Sequence, residues 1–479
     1  MSFIVDSEIV VDGLNRFREE SVNKKKPVTN LTPLENIVEN LEMKSFIKNG
    51  GLTGKKLFEF MSKYLSFSTR LHHPAYLGHQ CAAIHYSGAL ASLIDAFTNN
   101  VTSIYEMGPA AVSLEFFTIN WMLEKVGWNP APISIGTFGS TKKFGGGVFV
   151  NGGSLGNLTA LLAARNKVAP ETWQKGNLAD LALLISSESH YSVEKSAGIM
   201  GIGKNSIYYL ETDYKGAVIP EKISTSLNSL LDDGKKPIAL IANACSTPVG
   251  VYDPLNEIAD FCIENNIWFH VDGAHGASAL LSDKYKERLK GIEKADSLVW
   301  DAHKLLQTPS LCAALLVKEH DNLEKAMDHN ASYLFHEKEQ QGIDFIQRTI
   351  ECTKSGVGIK LFFVLASIGE KGLRNYIDEQ YNLAAEAYNF IKEQKDFECP
   401  VLPQSNILCF RINGTDSTQL KIRNKLVNEG SFYLTSTEFK GKRFLRMVFM
   451  SPNTIIQDIH KLINRIREIN TEIVNNPDE

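Results

Sequence analysis

The chain has 479 residues and a formal net charge of −5, long enough for two or three domains and without a basic face for nucleic acid, since Lys24-Lys25-Lys26 reads as a short solvated loop. No run reaches the apolar length of a membrane span, and Met1-Ser2-Phe3-Ile4-Val5-Asp6 has no basic stretch leading into an apolar one, so neither membrane nor secretion is expected. The seven cysteines form no CxxC pair and no metal spacing, as expected of reduced thiols in a cytoplasmic protein.

Residues 1 to about 70 read as helices punctuated at Lys26-Pro27 and Asn49-Gly50-Gly51, and not as an independent core. The loop from His72 to Gln80 follows. It is rich in histidine, but the carboxylates and paired cysteines that zinc favours are missing beside it, so no metal is expected. Val112 to Val126 carries an amphipathic helical pattern whose apolar residues are mostly core. The strand Val148 to Val150 then runs into Gly152, Gly153 and Ser154, and a helix starts, with Leu155, Leu158 and Leu162 at i, i+3 and i+7. Glycines before a helix start bring unpaired backbone N–H groups close to an anion. This is a phosphate cradle or, equally on its own terms, an ordinary turn with Ser154 as N-cap. It is not a P-loop, because no Gly-Lys-Ser/Thr follows.

Leu181 to Ser186 and Pro237 to Asn243 read as buried strands, the second ending in hydroxyls at Ser246 and Thr247. Asp253-Pro254 reads as the cap and first turn of a helix that buries Leu255, Ile258 and Cys262. Two further apolar runs matter most. Ile267 to Val271 delivers Asp272 into Gly273-Ala274-His275-Gly276, and Ser297 to Trp300 ends in Asp301-Ala302-His303-Lys304. The alternation of strands and helices from 145 to 317 is that of a doubly wound parallel sheet, which binds ligands at the carboxyl ends of its strands. A carboxylate and an amine on two such ends suit pyridoxal phosphate. The amine bonds to the aldehyde, and the carboxylate keeps the pyridine nitrogen protonated. Taken singly, Asp272 also reads as a helix cap and Lys304 as a solvated side chain.

Asp328 to Gly342 has few apolar anchors and is expected to be a mobile lid. A long helix starts at Lys360. Ile407 to Ile412 and Phe444 to Met450 read as strands, and Ile455 to Ile469 as an amphipathic helix.

His270-Val271-Asp272-Gly273-Ala274-His275-Gly276, followed by Asp301-Ala302-His303-Lys304, resembles the group II pyridoxal-phosphate-dependent amino acid decarboxylases, and the resemblance extends from about His73 to Pro452. It implies an α/β fold of type I, aspartate aminotransferase-like. Three parts are expected: an N-terminal helical segment packing across a homodimer (1–75), a large cofactor domain with a mostly parallel seven-stranded sheet (76–360), and a smaller α+β domain (361–479). The implied cofactor is pyridoxal 5'-phosphate. Lys304 would carry it, Asp272 would face its ring nitrogen, and His190 would stack on its ring. Gly153, Ser154, Thr247, Ala274 and His303 would complete its site. Tyr333 matches the family's catalytic loop tyrosine, which protonates Cα. His73, Tyr76, His79 and Gln80 match the mouth segment that meets substrate, in a site shared between subunits.

The implied reaction is loss of CO₂ from an L-amino acid. The polar groups of His79 and Gln80 favour a small polar substrate, L-2,4-diaminobutyrate or L-glutamate before aspartate or an aromatic amino acid. Two rivals stand further off. One is an aminotransferase, for which Arg446 would be a carboxylate clamp instead of a structural arginine. The other is a catalytically silent cofactor-binding homologue, against which Lys304, Asp272, His190 and Tyr333 argue together.

Overall fold

The protein is described from a computed structural model covering residues 3–133, 143–177, 180–327 and 342–475. The chain divides into two compact units, Met1–Ala83 with Glu379–Glu479, and Ile84–Asp378. The sequence reading puts its boundaries after residues 75 and 360.

The N-terminal segment forms α1 (Phe3–Val22), α2 (Leu34–Asn40), α3 (Met43–Asn49), α4 (Gly54–Ser66) and the short strand β1 (Tyr76–Leu77). The breaks fall where Pro27 and the Gly50-Gly51 pair interrupt helix formation, both glycines having positive φ.

The larger unit opens with α5 (Tyr86–Thr98) and α6 (Pro109–Val126). It continues through β2 (Gly146–Val150), α7 (Gly153–Val168), α8 (Thr172–Lys175), β3 (Leu181–Ser186), α9 (Tyr191–Ile199), β4 (Ile207–Leu210), α10 (Ile223–Asp232), β5 (Lys236–Asn243) and α11 (Leu255–Glu264). Then come β6 (Trp268–Asp272), β7 (Ser297–Asp301), β8 (Ala313–Val317) and α12 (Asp321–Ala326). Among the described residues its strands make one seven-stranded sheet, in the order β2-β8-β7-β6-β5-β3-β4. Every pairing is parallel except those of β8, which runs against both β2 and β7. Strands β2, β3, β6, β7 and β8 are buried along their whole length, which is why they read as unbroken apolar runs instead of alternating ones. Their packing fixes one edge of the sheet. Asn243, Asp272 and Asp301 stand at the carboxyl ends of β5, β6 and β7, and Val150 and Asp301 both pair with Ala313.

Asp253 does not cap α11, contrary to the sequence expectation. Pro254 holds the cap position, while the Asp253 carboxylate is buried and accepts N–H groups from Val218 (2.9 Å) and Asn243 (2.7 Å). It staples the loop after β5 to another chain segment. Burial pushes its carboxyl up to about 6.

Helix α13 (Gly358–Lys392) is interrupted at Gly369, whose φ of 67° breaks the ladder. It is followed by β9 (Phe397–Glu398), β10 (Ile407–Ile412), α14 (Asp416–Glu429), β11 (Tyr433–Phe439), β12 (Lys442–Val448) and α15 (Ile456–Asn475). The second sheet has the order β1-β11-β12-β10-β9 and is antiparallel except for β1 against β11. Ile459, Leu462, Ile463, Ile466 and Ile469 of α15 pack with Leu408, Phe410, Leu445 and Met447 of the sheet. The N-terminal segment is tied into this unit by β1 and by the Val28 N–H, which donates to the Gly430 carbonyl at 2.9 Å.

Candidate active site

Five strand ends on one edge of the larger sheet carry the polar groups, those of β2, β3, β5, β6 and β7. At the first, β2 leads through Gly152, whose φ of 101° no L side chain readily adopts, into α7. Leu155 and Gly156 return their N–H groups to the Gly152 carbonyl. The amides of Gly153 and Ser154 open the helix, where no intrahelical acceptor exists. Ser154 is not the N-cap that an ordinary turn would make it. Gly152 holds that position and no side chain caps the helix. The Ser154 hydroxyl makes no hydrogen bond to the described residues. A Cβ at Gly153 would lie 2.9 and 3.0 Å from the two carboxylate oxygens of Asp301 and 3.3 Å from the Ala274 methyl. The helix start is therefore pressed against the ends of β6 and β7.

Asp272 ends β6. Its Oδ1 accepts the Ala274 N–H at 3.2 Å, and its Oδ2 accepts Asn157 Nδ2 of α7 at 2.9 Å. The same Asn157 amide nitrogen reaches Ser192 Oγ at 3.0 Å, which lies 2.8 Å from His190 Nδ1. His190 is the N-cap of α9, its ring accepting the Ser192 N–H at 3.3 Å. An imidazole thus does the work that an Asp or Ser side chain usually does at a helix start. Burial lowers its pKa, with the Asp272 and Asp301 carboxylates opposing and Lys304 assisting, so its ring lies within electrostatic reach of all three.

Asp301 ends β7 and is buried. Its Oδ2 lies 3.3 Å from Lys304 Nζ and 3.5 Å from His303 Nε2, while its Oδ1 has no hydrogen-bond partner among the described residues. His303 turns Nδ1 to the Cys312 carbonyl at 2.8 Å. Thr247 follows the carboxyl end of β5, the neighbour of β6, and is half-buried.

Gly153, His190, Asp272, Ala274, His303 and Lys304 thus gather at one sheet edge, with Ser154 and Thr247 on the adjoining turns. Two members of the cluster had no role in the sequence reading, Asn157 and Asp301. Asn157 is legible only as a polar residue one turn into α7, and Asp301 as an acid three residues before Lys304.

The mouth-segment candidates belong to the other unit. The His73 ring accepts the Ala75 N–H at 3.0 Å, and burial, with Lys24 and Arg70 nearby, lowers its pKa to about 4. Tyr76 is buried in β1 and stacks on Tyr433, with ring centroids 5.4 Å apart. His79 tilts against the same ring at 5.9 Å. Burial lowers its pKa, and the guanidiniums of Arg446 and Arg423 add to the effect. Gln80 Oε1 accepts Arg446 Nη2 at 3.3 Å, and its buried Nε2 has no partner among the described residues. Tyr333 and most of the expected lid lie outside the described residues.

Residues 51–413 match the family model described as the pyridoxal-dependent decarboxylase conserved domain. The chain belongs to the pyridoxal-dependent decarboxylases. This decarboxylase is 29% identical over 473 residues to the acidic amino acid decarboxylase GADL1 of Mus musculus, covering 94% of this chain and 83% of that one. It is 27% identical to the cysteine sulfinic acid decarboxylase of Rattus norvegicus, covering 97% and 95%. The crystal structure of mouse CSAD superposes with a TM-score of 0.88 at 25% identity, covering 98% of this chain and 99% of that one. The fold is type I, the cofactor is pyridoxal phosphate, and the activity is that of a carboxy-lyase acting on an amino acid.

The residues fit that cofactor. A carboxylate with both oxygens already accepting N–H groups suits a protonated ring nitrogen. A lysine amine stands at the next strand end. A helix start crowded enough to require glycine, with amides and a serine hydroxyl that are unengaged among the described residues, suits a phosphate.

Proposed function

We propose that the enzyme decarboxylates a small L-amino acid with an acidic side chain, of the glutamate or aspartate class. The observation that carries this reading is the set around Gln80. A guanidinium donates to Gln80 Oε1, its Nε2 donor is buried without a partner among the described residues, and two arginines act on the neighbouring His79. Such a donor-rich, cationic set favours a carboxylate over the second ammonium of L-2,4-diaminobutyrate, which therefore falls behind glutamate. The names of the relatives, an acidic amino acid decarboxylase and a cysteine sulfinic acid decarboxylase, point the same way. On this reading His73 and Tyr76 shape the segment, and His79 and Gln80 meet substrate.

Bound pyridoxal phosphate supplies the electron sink for the pair released when the Cα–carboxylate bond breaks. Lys304 would be its covalent anchor, with the Asp301 carboxylate 3.3 Å from the lysine nitrogen to orient it. Asp272 keeps a proton on the ring nitrogen. His190 covers one ring face, as a flat apolar surface with its proton position fixed by Ser192. Gly153 and Ser154 would hold its phosphate, Ala274 would allow close approach to its ring, and Thr247 and His303 would complete the site with polar groups. Tyr333 delivers the proton to Cα that completes the amine.

Homodimerisation belongs to the same proposal. It is supported by the exposed apolar side chains of Phe3, Ile4, Val11 and Leu14 on α1 and of Leu90, Leu93 and Phe97 on α5. A cytoplasmic location accords with seven free cysteines. No helix among the described residues is long and apolar enough to cross a membrane.

The test is CO₂ release from L-glutamate, L-aspartate, L-cysteine sulfinate, L-2,4-diaminobutyrate and L-tryptophan, with Lys304→Ala as the blank. Release confined to the first three is expected. A preference for diaminobutyrate or tryptophan would overturn the acidic reading, and borohydride fixing cofactor to Lys304→Ala would overturn the anchor.

A further inference from the structure

The Asp272 carboxylate stands at the end of a buried line of hydrogen bonds that begins at an indole. Trp268 Nε1 lies 2.8 Å from Ser297 Oγ, and Ser297 Oγ lies 2.8 Å from His270 Nδ1. His270 Nε2 lies 3.0 Å from Asn157 Oδ1, and Asn157 Nδ2 lies 2.9 Å from Asp272 Oδ2. All five side chains are buried. The local cause is the strand period of two. Trp268, His270 and Asp272 share one face of β6, and Ser297 pairs with His270 across the ladder to β7.

The carboxylate end fixes the sense of this line. An ionised carboxylate only accepts, so Asn157 must present Nδ2 to Asp272 and Oδ1 to His270 Nε2. The imidazole proton is then on Nε2, which leaves His270 Nδ1 to accept the Ser297 O–H, while Ser297 Oγ accepts the Trp268 indole N–H. The flipped amide would set its oxygen against the carboxylate. Burial lowers the His270 pKa to about 4, which keeps the ring in the neutral form that the line requires. The second Nδ2 hydrogen of Asn157 goes to Ser192 Oγ, whose O–H then faces His190 Nδ1.

We propose that Asn157 is a positioning residue which, through one side-chain amide held in a single orientation by the Trp268–Ser297–His270 line, sets both the acceptor state of Asp272 and the Nε2–H tautomer of His190. The proposal rests on the reading in which Asp272 faces the ring nitrogen and His190 the ring face. Asn157 touches neither cofactor nor substrate on this account. It acts by keeping the carboxylate an acceptor at Oδ2, so that the shared proton stays on the cofactor nitrogen, and by directing the Ser192 hydroxyl.

The test uses holoenzyme loaded with pyridoxal phosphate labelled with ¹⁵N in the ring, whose resonance reports ring-nitrogen protonation. Asn157→Leu keeps the volume and removes the amide. Its ring-nitrogen resonance is expected to move toward the unprotonated position, and its kcat to fall by about tenfold or more with KM little changed, the size expected for a hydrogen bond to a charged group. Trp268→Phe removes only the distant donor and is expected to shift the resonance in the same sense by less. It also carries the test should Asn157→Leu not fold. Wild-type resonance and kcat in Asn157→Leu, or a wild-type resonance in Trp268→Phe as the sole folded variant, overturn the proposal. Asp272→Asn separates the two levels. If it moves the resonance while Asn157→Leu does not, the proposal falls and the reading of Asp272 stands. If Asp272→Asn itself leaves the resonance unmoved, that reading falls.

Discussion

Substituting Gly153 by alanine tests whether the helix start and the strand ends share one cramped space. The added methyl would lie 2.9 and 3.0 Å from the oxygens of Asp301 and 3.3 Å from the Ala274 methyl, the first closer than real Cβ contacts come and the other two tighter than most. Asp301 is 2% exposed and cannot swing into solvent. Retreat would carry its Oδ2 away from Lys304 Nζ and His303 Nε2, now at 3.3 and 3.5 Å. Overpacking of this kind costs about 1–3 kcal/mol. The cost divides between fold stability and cofactor affinity. Borne wholly by the cofactor, it corresponds to a loss of about 5- to 150-fold. Two measurements capture both shares: urea unfolding of the apoenzyme, and titration of apoenzyme with pyridoxal phosphate followed by the absorbance of the covalent adduct. Gly198→Ala is the control, because it lies exposed near the end of α9 with no atom within 4 Å of its added methyl. It should gain up to about 1 kcal/mol from helix propensity and leave cofactor affinity alone. If Gly153→Ala matches wild type in both assays, the packing of α7 onto Asp301 is not what the geometry says.

Tyr333→Phe should bind cofactor normally but form amine at least about tenfold more slowly, with a carbonyl product appearing in its place. Chromatography of the products checks this, and wild-type amine yield would remove Tyr333 from its role. The buried Lys354 ammonium pairs with the Glu115 carboxylate, which also accepts the Phe149 N–H at 3.0 Å. Lys354→Met should cost about 3–5 kcal/mol in urea unfolding by stranding that carboxylate, and Lys354→Met with Glu115→Leu should recover most of it. His270 titrates near 6.5 unfolded and about 4 folded, so the unfolded chain binds the extra proton between those values and stability falls as pH falls through that window. Wild type should lose about 2 kcal/mol from this group between pH 7 and pH 5, and His270→Gln should show a correspondingly flatter stability profile.

The sheet was legible because its strands are buried on both faces and therefore stand out as unbroken apolar runs, from Leu181 to Ser186 and from Ser297 to Trp300. What those runs lack is direction, so the reversed strand Ala313–Val317 could not be told from its parallel neighbours. The short strand Ile207–Leu210, half of it outward-facing, gave too weak a pattern to be read at all. Asp272 and Lys304 could be picked out by their places after strands. Local rules misjudged Asp253, which satisfies cap statistics but serves amides distant in sequence. Asn157 and Asp301 were missed for the same reason, since their importance comes from partners more than a hundred residues away or from an oxygen without a partner among the described residues.

The compact unit built from Met1–Ala83 and Glu379–Glu479 has a consequence for synthesis on the ribosome. Its first part is made at the outset, yet the strand that pairs with Tyr76–Leu77 begins only at Tyr433. Roughly 350 residues must be translated in between, about 18–70 s at ~5–20 residues per second. During that interval Val28, Ala75 and Tyr76, buried in the finished protein, have none of their C-terminal partners to cover them. The residues of the large sheet all emerge within the same interval and can pair as they appear. The nascent chain therefore completes its cofactor-binding sheet while its own beginning is still waiting for its end.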